Sequence, residues 1–344
     1  MGWVSGDGRA ARLSSPGRGA IRELSTPLPR VIAHADWGSD PRNQWMCVAE
    51  LGDDGRYHIA SPEPVGDPGT MLRRLRDLAN GDTVAVGFDF PIGIPAAYAR
   101  RAGIANFLDV LPKLGHDRWA DFYTVASTPE DISLTRPFYP MRPGGTKQIH
   151  LTAALGVDAM TDLLRICDRA NEGRGAASPI FWTIGGKQVG KAALLGWREV
   201  LAPALQDDDL DVSIWPFDGA FTELIARGGI VIAETYPAEA CLHLGLMPPG
   251  RGWSKRLQDG RRGQASSIEA WARQRPVELH GELQALVASG FGPSNGAEDP
   301  FDAMLGLLSM VEVALGYRGD GAPDTDVVRE VEGWILGQAA PAVG

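Results

Sequence analysis

Val31-Ile32-Ala33-His34-Ala35-Asp36-Trp37-Gly38 is a short run of mostly apolar residues that carries one carboxylate at its end and then breaks at Gly38-Ser39-Asp40-Pro41. An apolar run bounded by turn residues reads as a buried strand. Two more strand candidates follow, Trp45 to Leu51 and Tyr57 to Ser61, and the Asp-Gly pair within Gly52-Asp53-Asp54-Gly55 is a hairpin signal between them. The first three strands are therefore expected to be antiparallel. Thr70 to Ala79 then places Met71, Leu72, Leu75 and Leu78 among arginines, the period of about 3.6 residues of an amphipathic helix, and breaks at Asn80-Gly81. Thr83-Val84-Ala85-Val86-Gly87-Phe88-Asp89-Phe90-Pro91 repeats the opening pattern, a buried strand with a lone carboxylate late in it.

Beyond this strand the pattern changes. From 105 to 228 helices and long loops dominate, with a Pro- and Gly-rich stretch from Arg136 to Gly145 and an amphipathic segment from Leu151 to Asn171, which reads as a large, mainly helical insertion. Ile230-Val231-Ile232-Ala233-Glu234-Thr235-Tyr236-Pro237 restores a β-branched strand, again with one late acid. Gly250 to Arg275 is basic, carrying Arg251, Lys255, Arg256, Arg261, Arg262, Arg273 and Arg275. Asp299 to Gly316 reads as an almost wholly apolar helix with Asp299 and Asp302 in its first turn. Residues 1–28 are rich in Gly, Ser, Arg and Pro without apolar periodicity and read as a flexible leader to an α/β domain spanning 29–344.

Composition narrows the function classes. With 44% hydrophobic and 22% charged residues there is apolar material for a sizeable core, and no run approaches the roughly 20 apolar residues of a membrane span. A cytoplasmic protein with no membrane partner is the expectation. The 3 cysteines, Cys47, Cys167 and Cys241, form no CxxC pair, so neither zinc nor disulfides are suggested. A net charge of -10 argues against coating nucleic acid by bulk electrostatics, but clustered metal-binding carboxylates would contribute to that count.

Three apolar strands each ending in one acid, and one apolar helix opening on acids, form the chemical signal. A carboxylate buried alone is penalised by several kcal/mol, so such residues persist when hydrogen-bonded, paired with a base or bound to metal. Pairing partners are scarce in these strands. Asp36, Asp89, Glu234 and Asp302 are therefore the candidate catalytic residues, and Asp36, Asp89, Asp299 and Asp302 the candidate metal ligands. Hard oxygen donors of this kind suit Mg²⁺ or Mn²⁺ better than zinc. Each acid also has an ordinary role open to it: Asp36 and Asp89 as turn or cap residues, Asp299 as an N-cap, Asp302 as a favourable charge at the positive helix end.

At these same residues the chain resembles the DUF429 family, predicted nucleases of the RNase H-like fold. The likeness rests on Ala35-Asp36-Trp37, Phe88-Asp89-Phe90-Pro91-Ile92-Gly93-Ile94-Pro95, Ala233-Glu234-Thr235-Tyr236-Pro237, Glu298-Asp299-Pro300-Phe301-Asp302-Ala303 and Glu332-Gly333-Trp334-Ile335. The resemblance implies a mixed sheet flanked by helices on both faces, with acids on the first strand, fourth strand and last helix as metal ligands. The expected activity is metal-dependent hydrolysis of nucleic acid.

Other segments offer competing readings. Gly185-Gly186-Lys187-Gln188-Val189-Gly190-Lys191 nearly matches a phosphate-binding loop, but Ala192 stands where the Mg²⁺-binding hydroxyl belongs. Lys187, Gln188 and Lys191, with Lys255 and Arg256, are candidate substrate contacts, or alternatively a solvated face. A phosphotransferase or NTP hydrolase using this loop would lose nucleotide binding on Lys191→Ala; a non-catalytic binding module would bind no Mn²⁺. His34 is a candidate general base or a core histidine. Trp182, Trp197, Trp215, Phe217 and Phe221 are base-stacking candidates or core.

Overall fold

The computed structural model describes residues 27–171, 173–184, 189–246, 252–294 and 296–341. The leader expected over 1–28 therefore lies almost wholly outside the described residues, as do Lys187, Gln188 and Arg251. Eight strands form one sheet: β1 Val31–Asp36, β2 Trp45–Leu51, β3 Tyr57–Ile59, β4 Glu63–Pro64, β5 Val84–Phe88, β6 Val212–Ile214, β7 Ile230–Glu234 and β8 Val277–Leu279. Their order is β6-β7-β5-β1-β2-β3-β8, with β4 pairing onto β2. β1, β5, β7 and β6 run parallel, β2 is antiparallel to β1 and β3, and β8 is parallel to β3. This is an α/β protein with a mixed sheet and its first three strands antiparallel, as the hairpin signal and the alternation of elements indicated.

Side chains alternate across a strand, so β1 feeds two cores. Val31, Ala33 and Ala35 pack on one face with Val84, Val86, Phe88 and the helix Pro68–Leu78, while Ile32 packs on the other with Ala85, Val231 and the long helix Glu298–Ala314. These are called the Val31 face and the Ile32 face below. The long helix is buried at every residue from Phe301 to Val313 and crosses the centre of the sheet. Its approach depends on a missing side chain: a methyl at Gly306 would lie 2.2 Å from the His34 imidazole. His34 fills that notch and donates from Nδ1 to the Ala303 carbonyl at 3.0 Å, so it is a core histidine, with burial pulling its pKa down to about 4.

The segment from 105 to 228 is less separate than an insertion suggests. Its helices are short, Val212–Ile214 joins the sheet as edge strand β6, and residues from Phe107 to Leu201 share the Val31-face core. After β6 the chain crosses over, and Trp215, Phe221 and Leu224 pack on the Ile32 face. Trp197, Trp215 and Phe221 are fully buried, while Trp182 and Phe217 are half-buried against the core. The amphipathic helix expected from Leu151 to Asn171 is an α-helix only over Gln148–Leu155, ending at Gly156 with φ 67°, and continues as the short 3-10 helices Met160–Leu163 and Ile166–Asp168. Beyond Gly156 the acids cap short turns instead: Asp162 accepts from Asp158 and Ala159 and Asp168 from Arg165 at the starts of the two 3-10 helices, while Glu332 accepts from Ile166. Among the described residues no helix is long and apolar enough to cross a membrane.

Candidate active site

The β1–β5 register brings the first two carboxylates side by side. Ala35 lies opposite Phe88, and the Asp89 amide donates to the Ala35 carbonyl at 3.1 Å, so Asp36 and Asp89 stand at adjacent strand ends. Each follows a residue of the Val31 face and so projects to the Ile32 face. The long helix starts over that face and carries Asp302 one turn in, buried, with Oδ1 lacking a hydrogen-bond partner among the described residues. Asp299 sits half-buried beside it.

The electrostatics are those of crowded acids. Burial raises the Asp36 pKa well above the usual carboxylate range, with the Asp302 and Asp89 charges adding to it. Burial likewise pushes Asp89 up to about 7, with Lys255 opposing and Asp302 adding. Asp299 is pushed up to about 6, by burial first and then by Glu298 and Asp302. One cation answers them: the Lys255 ammonium is ion-paired with Asp302 Oδ2. Burial by itself lowers the Lys255 pKa, but Asp302, Asp36 and Asp89 outweigh that and hold it above its ordinary value.

These groups line a cleft of about 960 Å³ whose wall includes Trp37, Thr235, Tyr236 and Arg256. The Arg256 side chain is 72% exposed, 3.8 Å from Glu298. By contrast, Arg261 is an internal clamp, 1% exposed, donating to the carbonyls of Lys255 at 2.5 Å, Gly290 at 2.9 Å and Gly292 at 2.8 Å. The basic run 250–275 thus divides, part structural and part facing the cleft.

Glu234 lines the same cleft and its charge helps raise Asp89, but its side chain leaves the sheet on the other face. β7 pairs Glu234 with Phe88 and Ala233 with Gly87, which sends the Glu234 side chain to the Val31 face. There Arg165, fully buried, grips both its oxygens at 2.6 Å and bonds Asp168 at 2.9 and 3.0 Å, while the Ile92 amide donates to Oε2 at 2.7 Å. The expected scarcity of partners holds along the strands and fails across the fold, because Arg165 arrives from the 105–228 segment. Thr235 stands on the Ile32 face instead: a methyl at Gly87 would lie 2.7 Å from its Cγ2, and its buried hydroxyl has no partner among the described residues.

Lys191 lies in the helix Val189–Gly196. Val189 and Ala192 line the cleft, but Lys191 does not. Gly190 has a packing reason, since a methyl there would meet the Ile180 carbonyl oxygen at 2.1 Å. Sequence reasoning missed Arg165 and Thr235, and it named Trp197 only as a stacking or core residue, whereas its Nε1 donates to the Pro91 carbonyl at 2.7 Å and braces the turn after Asp89. Only Thr235 had a legible signal, through strand alternation once the register is known.

The donor set suits a hard divalent ion: three carboxylates, one oxygen of which is buried and unsatisfied. Yet among the described residues the only His, Cys, Asp or Glu trio whose ligand atoms all lie within 4.8 Å of one another is Asp54, His58 and Glu278, at the β3–β8 edge. The cleft carboxylates, with the Lys255 ammonium seated on Asp302, do not meet that spacing as a trio. No family model, no curated protein and no solved structure matches the chain.

Proposed function

We propose that the chain is an RNase H-like, divalent-metal-dependent nuclease that hydrolyses phosphodiester bonds in the cleft floored by Asp36, Asp89 and Asp302. The observation carrying this reading is the convergence, on one face and at one end of a mixed sheet, of acids separated by more than two hundred residues of sequence. Chain order supports the fold reading: three antiparallel strands form one side of the sheet, and β5 and β7 extend the other side parallel to β1.

Asp36, Asp89 and Asp302 would hold Mg²⁺ or Mn²⁺, with Asp299 adjacent. When bound, the ion supplies a Lewis acid for the phosphate and lowers the pKa of water. The protein's own share is positional. The register of β1 and β5 fixes two of the donors, Trp197 braces the turn behind them, and Arg256 and Lys255 present cations where a phosphate backbone would lie. Glu234, in the cleft wall, ties the Ile92 turn and the Arg165 segment together.

The test is incubation with single-stranded, double-stranded and branched nucleic acids plus Mg²⁺ or Mn²⁺, alongside Asp36→Asn. Products made by the wild-type protein and absent with the variant are expected. Equal cleavage by both would overturn the assignment.

A further inference from the structure

We infer that Lys255 is a built-in counter-cation which a divalent ion must displace from Asp302, and that the displaced ammonium stays in the cleft to meet substrate phosphate. This rests on the metal-binding reading of the cleft.

The argument begins with charge. Asp36, Asp89, Asp299 and Asp302 act on one another through burial and proximity, and Lys255 is the base among them. Among the described residues no ion pair within 4.0 Å joins Asp36 or Asp89 to any base, so one monovalent charge at Asp302 leaves the floor undercompensated. Like charges held together in a poorly solvated site favour protonation or a further cation. A divalent ion compensates better, but Asp302 Oδ2 is already engaged by the ammonium. Two cations on one carboxylate, the ammonium at Oδ2 and a divalent ion at the open Oδ1, repel each other at short range and compete for its charge.

The backbone explains why displacement would be local. Arg261 bonds the Lys255 carbonyl while its other nitrogens bond Gly290 and Gly292, so the main chain at 255 is pinned. Only the four-carbon stem is free to turn, and the Lys255 side chain, 31% exposed, already opens toward the cleft. The ammonium leaves Asp302 without leaving the cleft, arriving beside the exposed Arg256. The same residue thus offsets part of the acids' charge before loading and adds a phosphate contact after it.

The experiment measures Mn²⁺ binding by titration calorimetry for the full chain and for Lys255→Met, both carrying His58→Ala so that the Asp54–His58–Glu278 trio contributes no heat. In parallel, acylation of Lys255 by an N-hydroxysuccinimide ester is followed by mass spectrometry with and without Mn²⁺. Lys255→Gln, which keeps a polar group at Asp302, replaces Lys255→Met if the latter melts early. Removal of the ammonium should tighten Mn²⁺ binding by roughly tenfold or more, a usual size for coupling between two ligands. Lys255 should change from shielded to reactive at saturating Mn²⁺. Equal affinities, or a Lys255 that stays shielded when Mn²⁺ is bound, overturn the inference and leave the metal site standing. No Mn²⁺ binding by either protein overturns both.

Discussion

Replacing Arg165 by Met should destabilise the fold far more than a surface arginine would. The guanidinium is fully buried and makes charge-assisted bonds of 2.6 Å to both Glu234 oxygens and of 2.9 and 3.0 Å to Asp168. The Glu234 and Asp168 side chains are 5% and 6% exposed, so water does not take over the lost bonds. Removing one partner of a buried ion pair costs about 3–5 kcal/mol, because the other charge is left uncompensated. For a chain of this size that lowers the melting temperature by about 4–7 °C. Differential scanning calorimetry of Arg165→Met, Glu234→Gln and the double variant reads it directly. The double variant should recover part of the loss, since a neutral amide tolerates the missing cation better than a carboxylate does, while Asp168 stays uncompensated in both. A melting temperature for Arg165→Met within about 1 °C of wild type, or losses that simply add in the double variant, would refute the coupling.

Two further outcomes follow from packing and protonation. Gly306→Ala puts a methyl 2.2 Å from the His34 ring, so it should cost about 1–3 kcal/mol by chemical denaturation, and His34→Ala should relieve part of that cost in the double variant. His243 is buried against Ser309, and burial first, then the Arg318 charge, pulls its pKa down to about 3. Because the folded pKa lies below the unfolded value, only the unfolded chain takes up this proton as pH falls through about 6.5. Its contribution is therefore complete above that pH and is eroded toward pH 3, by about 2 kcal/mol at pH 5. His243→Gln should flatten the stability curve across that window, measured by denaturant midpoints at several pH values.

Much of the site's frame was legible in the residues, for identifiable reasons. The runs ending at Asp36 and Asp89 are short, apolar and bounded by turn residues, so both strands and the late position of each acid follow from local pattern. The long apolar helix opening at Glu298 was equally plain, because its burial on all sides leaves no polar stripe to confuse. What failed to show depended on register and distant contact. Glu234 occupies the same position in its strand that Asp89 occupies just beyond β5, but a one-residue offset in pairing turns it to the opposite face. Its partner Arg165 is 69 residues away, in a stretch whose apolar spacing suggested a helix. Strands β6 and β8 have three residues each, too few for alternation to stand out, and they sit at the sheet's edges. The contact between Lys255 and Asp302 joins residues 47 apart, from a basic run whose composition gave no hint that one ammonium turns inward.

The central claim is that Asp36, Asp89 and Asp302, brought together by the fold, share one divalent cation. A crystal structure of the protein soaked in Mn²⁺, with anomalous data collected at the manganese edge, tests it most directly. The account predicts an anomalous peak bounded by carboxylate oxygens of these three residues, with the Lys255 ammonium withdrawn from Asp302. Manganese found only at Asp54, His58 and Glu278, with Lys255 still seated on Asp302, would contradict it.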